Sequence, residues 1–124
     1  MTTEIIDWEE AMEQCGDDEE FLRELLGDLR QEVSAQILKI DGVFLTSPTP
    51  PDIFHLIMRA AHVVKGSSSN LMCKHLQETS TRLEESASFA NKSMDCDKQN
   101  LQIIHSQMRV AFENYKDFLI SIGV

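Results

Sequence analysis

From Leu22 to Phe44 the chain sets an apolar residue at every third or fourth position: Leu22, Leu25, Leu26, Leu29, Val33, Ile37, Ile40 and Phe44. Only an α-helix, with 3.6 residues per turn, gathers that spacing onto one side. Such a stripe predicts a rod of roughly 40 Å whose apolar seam other elements must cover. The rest of the chain supplies covers of the same kind. A short helix is expected from Asp7 to Cys15, with Trp8, Ala11, Met12 and Cys15 as its apolar side, stopped at Gly16. Asp17 then reads as the N-cap of the long helix, with Glu20 as a capping-box partner. TSPTPPD (46–52) is a loop, and Thr49–Pro50 reads as the cap and first turn of a third helix reaching Leu71. A fourth helix is expected from Lys74 to Ala90, with Leu76, Ser80, Leu83 and Ala87 on one face. After a break at NKSMDCD comes a last helix with Leu101, Ile104, Met108, Phe112, Tyr115 and Leu119 inward. There is no strand-like alternation and no repeat. The expected architecture is all-α: an antiparallel four-helix bundle with a short additional N-terminal helix.

At 124 residues the chain is one domain's length, enough to bury a core unaided. No apolar run approaches the roughly 18 residues of a membrane span, and MTTEIIDWEE lacks the basic leader of a signal peptide. Cys15, Cys73 and Cys96 are odd in number and widely spaced, which suits reduced thiols in the cytoplasm or nucleus. The net charge of −10 is concentrated in residues 1–32, which hold twelve acids and two bases. Nucleic acid is not expected as a partner, since binding it needs clustered Lys and Arg. Residues 53–77 contain no Asp or Glu, but carry Arg59, Lys65, Lys74 and three of the four histidines.

That cationic window contains HVVKGSSS (62–69). On a wheel of about 100° per residue, Ile53, Ile57, Ala60, Val64 and Leu71 fall within roughly 40° of one direction. His62 falls about 180° away, on the solvent face. Ser67 and Ser68 lie toward the core edge, where their hydroxyls can bond back one turn. A glycine inside an exposed helix costs about 1 kcal/mol relative to alanine. Gly66, one turn above His62, therefore needs another reason. Its missing side chain leaves the imidazole open to a bulky surface, and Lys65 is placed to pair with an anion on the ring. Near neutral pH a free imidazole nitrogen is nucleophilic without a separate base. His62, Lys65 and Gly66 thus suit a phosphoryl-accepting site, with His55, Met58, Arg59 and Ser69 as the surrounding partner-binding face. A surface His near a Lys is otherwise ordinary surface, but that leaves Gly66 and an exposed Met58 unexplained.

HVVKGSSSNL, with Ala61 before it, closely resembles the His-x-x-Lys-Gly-Ser-Ser signature of histidine-containing phosphotransfer (HPt) proteins. DWEEAMEQCGDDEEFLRELL resembles the family's opening, and LQETSTRLEE the helix after its signature. The resemblance implies a phosphohistidine at His62, stabilised by Lys65, with Gly66 giving a receiver domain access. It places Glu84 where the family often carries a polar residue beside the ring. It also implies transfer from the receiver-domain aspartate of a hybrid histidine kinase to that of a response regulator. The chain would be a monomeric carrier with no cofactor of its own, Mg²⁺ residing in the partner. The sequence departs from the family at Met72 and Cys73, where Gly-Ala is usual, so the helix break there must form without glycine.

Other readings stand beside this one. His55, Cys73 and His75 with His62 match no common zinc spacing. His105, on the apolar side of the last helix, reads as a hydrogen-bonded core histidine, and His75 as an exposed helix residue. Phe21 lies off the core stripe. No phosphate-binding glycine loop is present, so autophosphorylation is not expected. A phosphorylation-independent adaptor for receiver domains and a one-way phosphate sink remain as alternatives.

Overall fold

The computed structural model describes residues 5–46, 51–93 and 98–124. Among these the chain forms α-helices and no strand: α1 (Trp8–Gln14), α2 (Glu19–Leu45), α3 (Ile53–Asn70), α4 (Lys74–Ser93) and α5 (Lys98–Ser121). The apolar stripes set the packing. Leu22, Leu26, Leu29, Val33, Ile37 and Ile40 of α2 are buried, as are Ile53, Ile57, Ala60 and Val64 of α3, and Leu76, Ser80, Leu83 and Ala87 of α4. Leu25, Phe44 and Ile104, expected inward, are only half-buried and pack on the rim of the core. α3 contacts α4 most extensively, α4 also contacts α5, and α2 lies against α3 and α5, with α1 on α2. α3 and α4 also hold small buried residues (Ala60, Ala61 and Ser68; Ser80 and Ala87), which suits their close approach. Ser68 and Ser80 donate to the carbonyls of Val64 (2.6 Å) and Leu76 (2.5 Å), so their burial leaves no hydroxyl unpaired. Tyr115, fully buried, donates its hydroxyl to the Leu26 carbonyl at 2.7 Å. Truncating a fully buried leucine such as Leu26 or Leu83 would cost about 2–5 kcal/mol.

The helix ends correct the sequence reading in detail. The N-cap of α2 is Asp18, not Asp17: its carboxylate accepts from the Phe21 amide at 3.1 Å. Asp17 instead shares a left-handed turn with Gly16 (φ 59° and 65°), which carries the chain out of α1. A cap needs extended backbone, and Asp18 supplies it. With the cap at Asp18, Phe21 takes the third helical position and Glu20 is out of register for a capping box. The Thr49–Pro50 cap lies outside the described residues. The N-cap of α3 is Asp52, without a side-chain cap bond. α4 runs three residues past Ala90, and α2 is continuous through Gly27 and Gly42. Arg23 and Arg30 of α2 donate to the carbonyls of Ile122 and Val124, fastening the end of the chain to α2.

The break after α3 closes without glycine, as the sequence requires. Cys73 N–H donates to Ser68 O (2.9 Å) and Met72 N–H to Ser69 O (3.2 Å), a Schellman pair with Met72 at the left-handed position (φ 58°). A side chain there costs roughly 1–2 kcal/mol. Met72 offsets this by packing on the core, and its carbonyl accepts the Asp7 amide at 3.1 Å. This tight turn brings α4 alongside α3. No helix among the described residues is long and apolar enough to cross a membrane.

Candidate functional site

α3 turns Ile57, Ala61, Val64 and Ser68 into the core and leaves His62 on the outside, its side chain 65% exposed. Across from it on α4, Glu84 reaches both functional groups of α3. Its Oε2 lies 2.7 Å from His62 Nδ1 and its Oε1 lies 2.6 Å from Lys65 Nζ. His62 and Lys65, three residues apart on one helix, thus share one carboxylate from another. Partial burial pushes the Glu84 carboxyl up, but hydrogen bonds from Lys65 and His62 and their charges hold it below its usual value. Glu84 is therefore ionised at neutral pH and only accepts hydrogen bonds. Against it, Nδ1 must be the donor, which leaves the Nε2 lone pair free in the neutral ring. Nε2 has no partner among the described residues.

Gly66 is exposed, and a Cβ added there would meet nothing within 4 Å. The packing of this chain does not require glycine at 66. His55 and Arg59 are exposed on the same helix, while Ser69 is half-buried. Met58 is a correction: it is not an exposed residue but half-buried against the core, because it faces the α3–α4 junction. There it lines an open hollow of about 330 Å³ with Glu84, Glu85, Ser88, Phe89 and Lys92. On the other flank Leu56, Arg59, Ala60 and Val63 form a groove with Gln36, Lys39 and Val43 of α2. The structure thus joins His62, Lys65 and Glu84 directly and sets Met58 and Arg59 on either side, with His55 and Ser69 further along α3.

The remaining candidates lie elsewhere. His75 is half-buried instead of exposed, and Phe21 is exposed at the start of α2. Cys73 is buried, and desolvation pushes its thiol up to about 12, so it stays protonated. Among the described residues no three His, Cys, Asp or Glu gather where they could hold a metal ion. His105 is a buried, hydrogen-bonded histidine of α5, as its place on the apolar side implies. Its Nε2 lies 2.8 Å from Asp41 Oδ1, with Arg109 3.4 Å from the same oxygen. Sequence reasoning did not single out Asp41, 64 residues away on α2. Arg109, four residues after His105 on the same helix, was the only local hint. The sharing of Glu84 between His62 and Lys65 was likewise not legible, since only the turn at Met72 fixes which residue of α4 meets them.

A family model for the Hpt domain matches residues 19–117. No curated protein and no solved structure matches the chain. The matched region runs from the first residue of α2 into the last turns of α5 and includes the whole His62 neighbourhood. With most of its length covered, the chain belongs to the Hpt domain family, whose members carry phosphoryl groups on histidine in two-component signalling.

Proposed function

We propose that His62 accepts a phosphoryl group from the aspartyl phosphate of a hybrid kinase's receiver domain and passes it to the receiver of a response regulator. The observation that carries this is the ring itself: Nδ1 is held by Glu84, while Nε2, on a side chain 65% exposed, has no partner among the described residues. The empty space above Gly66 gives a receiver room to reach it, and Lys65 supplies a cation one turn away. The chain acts as a carrier on an antiparallel four-helix bundle, an arrangement supported by the tight turn between α3 and α4 and by the contacts linking α2, α3, α4 and α5. Its partner provides the Mg²⁺ and the aspartate.

The test is incubation with a phosphorylated receiver domain and Mg²⁺, with the intact mass read for wild type and His62→Gln. One added phosphoryl group, labile to acid, stable to base and absent from the variant, is the expected outcome. Binding that persists with no mass gain from several receivers would instead make the protein an adaptor.

A further inference from the structure

Phosphoryl transfer to His62 raises a question about one proton. The Nε2 lone pair attacks phosphorus, the Nε2–P bond forms, and the P–O bond to the receiver's aspartate breaks, its electron pair leaving with the carboxylate. The ring enters neutral with its proton on Nδ1, so after the attack it carries a positive charge. If Nδ1 then lost its proton, the ring would have to depart in the next transfer as an imidazolate, a far poorer leaving group than neutral imidazole. If Nδ1 keeps the proton, the second receiver's carboxylate oxygen attacks phosphorus, the Nε2–P bond breaks, and its electron pair returns to a neutral ring. No proton then moves in either direction.

The charges around His62 decide between these fates. Glu84 Oε2 stands 2.7 Å from Nδ1 with 19% of its side chain exposed, so the pair is only partly screened. Lys65 is the other charge in contact, through Glu84 Oε1 at 2.6 Å. An arriving phosphoryl group competes with the carboxylate for Lys65, and whatever Lys65 gives up leaves more of the Glu84 charge to the ring. Other charged or titratable side chains on and beside this face are His55 and Arg59 on α3, Glu85 and Lys92 in the α4 hollow, and Lys39 of α2 in the groove with Arg59, and none of them pairs with the ring. Resting on the function proposed above, we infer that Glu84 keeps the proton on His62 Nδ1 throughout the transfer cycle, so that neutral imidazole is both nucleophile and leaving group. Glu84 is in this sense a positioning residue for a proton. It makes the site a relay that releases its phosphoryl group and not a store that retains it.

Glu84→Gln tests this, because the amide oxygen still accepts from Nδ1 and only the charge is removed. Wild type and E84Q are loaded from a phosphorylated receiver, or with phosphoramidate if E84Q loads slowly, and then chased with fresh receiver between pH 6.5 and 9. The ratio of the two rates cancels the receiver's own pH dependence. Similar rates are expected at the acid end, with E84Q falling behind by about tenfold per pH unit at the alkaline end. The Nδ1–H resonance of phosphorylated His62 should persist at pH 8 in wild type and vanish in E84Q. Parallel rate profiles in two fully loaded proteins would overturn the role of Glu84 alone. A wild-type protein that takes no phosphoryl group from either donor would overturn the underlying function, and this inference with it.

Discussion

His62 and His105 each pair one ring nitrogen with a carboxylate from another helix, and each carboxylate also meets a cation from the histidine's own helix. His62 Nδ1 meets Glu84 at 2.7 Å with Lys65 sharing the carboxylate, and His105 Nε2 meets Asp41 at 2.8 Å with Arg109 sharing it. The difference lies in the second nitrogen. That of His62 opens to solvent on a side chain 65% exposed, whereas His105 is 5% exposed and its Nδ1 is buried without a partner. Phe44 packs against the His105 ring, with centroids 5.9 Å apart. One constellation therefore presents a lone pair to solvent and the other encloses it in the core. Paired histidines are not functional for being paired; access to the remaining nitrogen separates chemistry from packing.

The sharpest way to break this contrast is to exchange each ring for glutamine. His62→Gln should abolish phosphoryl acceptance, while His105→Gln should accept a full phosphoryl equivalent, both read by intact mass. Loss of acceptance in a folded His105→Gln protein would make the two sites equivalent. Stability should show the reverse. His105→Ala removes a buried ring and a charge-assisted hydrogen bond and should cost about 2–3 kcal/mol in urea unfolding. His62→Ala should cost under about 0.5 kcal/mol, as exposed ion pairs contribute little.

Acid should separate the pair next. Burial lowers the His105 pKa below 6.5, the Asp41 bond and charge oppose that shift, and the Arg109 charge adds to it. The unfolded chain therefore binds a proton at this residue that the folded chain refuses. The contribution of His105 is fully present above pH 6.5 and is lost as pH falls from there through the folded value. Urea midpoints should drop between pH 7.5 and 5.5 in wild type, and drop less in His105→Gln. Equal drops would place the acid sensitivity elsewhere. The last test concerns Gly66. Gly66→Ala should raise stability by about 1 kcal/mol, since its Cβ meets nothing, and Gly66→Gln should slow transfer steeply. Unchanged transfer in the glutamine variant would remove the access role of this glycine.

Spacing of three and four was enough to read the helices and most of their buried faces, because periodicity reports directly on which side of a helix is dry. His62 outward, Ser68 inward and His105 buried all follow from position on a wheel. What escaped depends on backbone angles or on register between helices. Asp17 and Asp18 are chemically identical, and only the left-handed turn at Gly16–Asp17 decides which of them caps α2. Met58 lies at a boundary where a small rotation of α3 toward α4 turns exposure into half-burial. Asp41 became the partner of a histidine far along the chain through packing that no local pattern encodes, whereas the family resemblance had placed Glu84 beside the His62 ring and only its sharing with Lys65 escaped. Arg23 and Arg30 sit among the acids of residues 1–32, and nothing local told that their guanidinium groups hold the carbonyls of Ile122 and Val124.

The Asp7 amide donates to the carbonyl of Met72, the left-handed residue that ends α3. That single bond makes the Asp7 N–H a built-in reporter on the turn that aligns Glu84 with His62. Its exchange with deuterated water should be slow while the turn is closed and should accelerate whenever the end of α3 unwinds. Comparing that one amide with and without a docked receiver would reveal whether the far end of the helix loosens when its histidine is engaged.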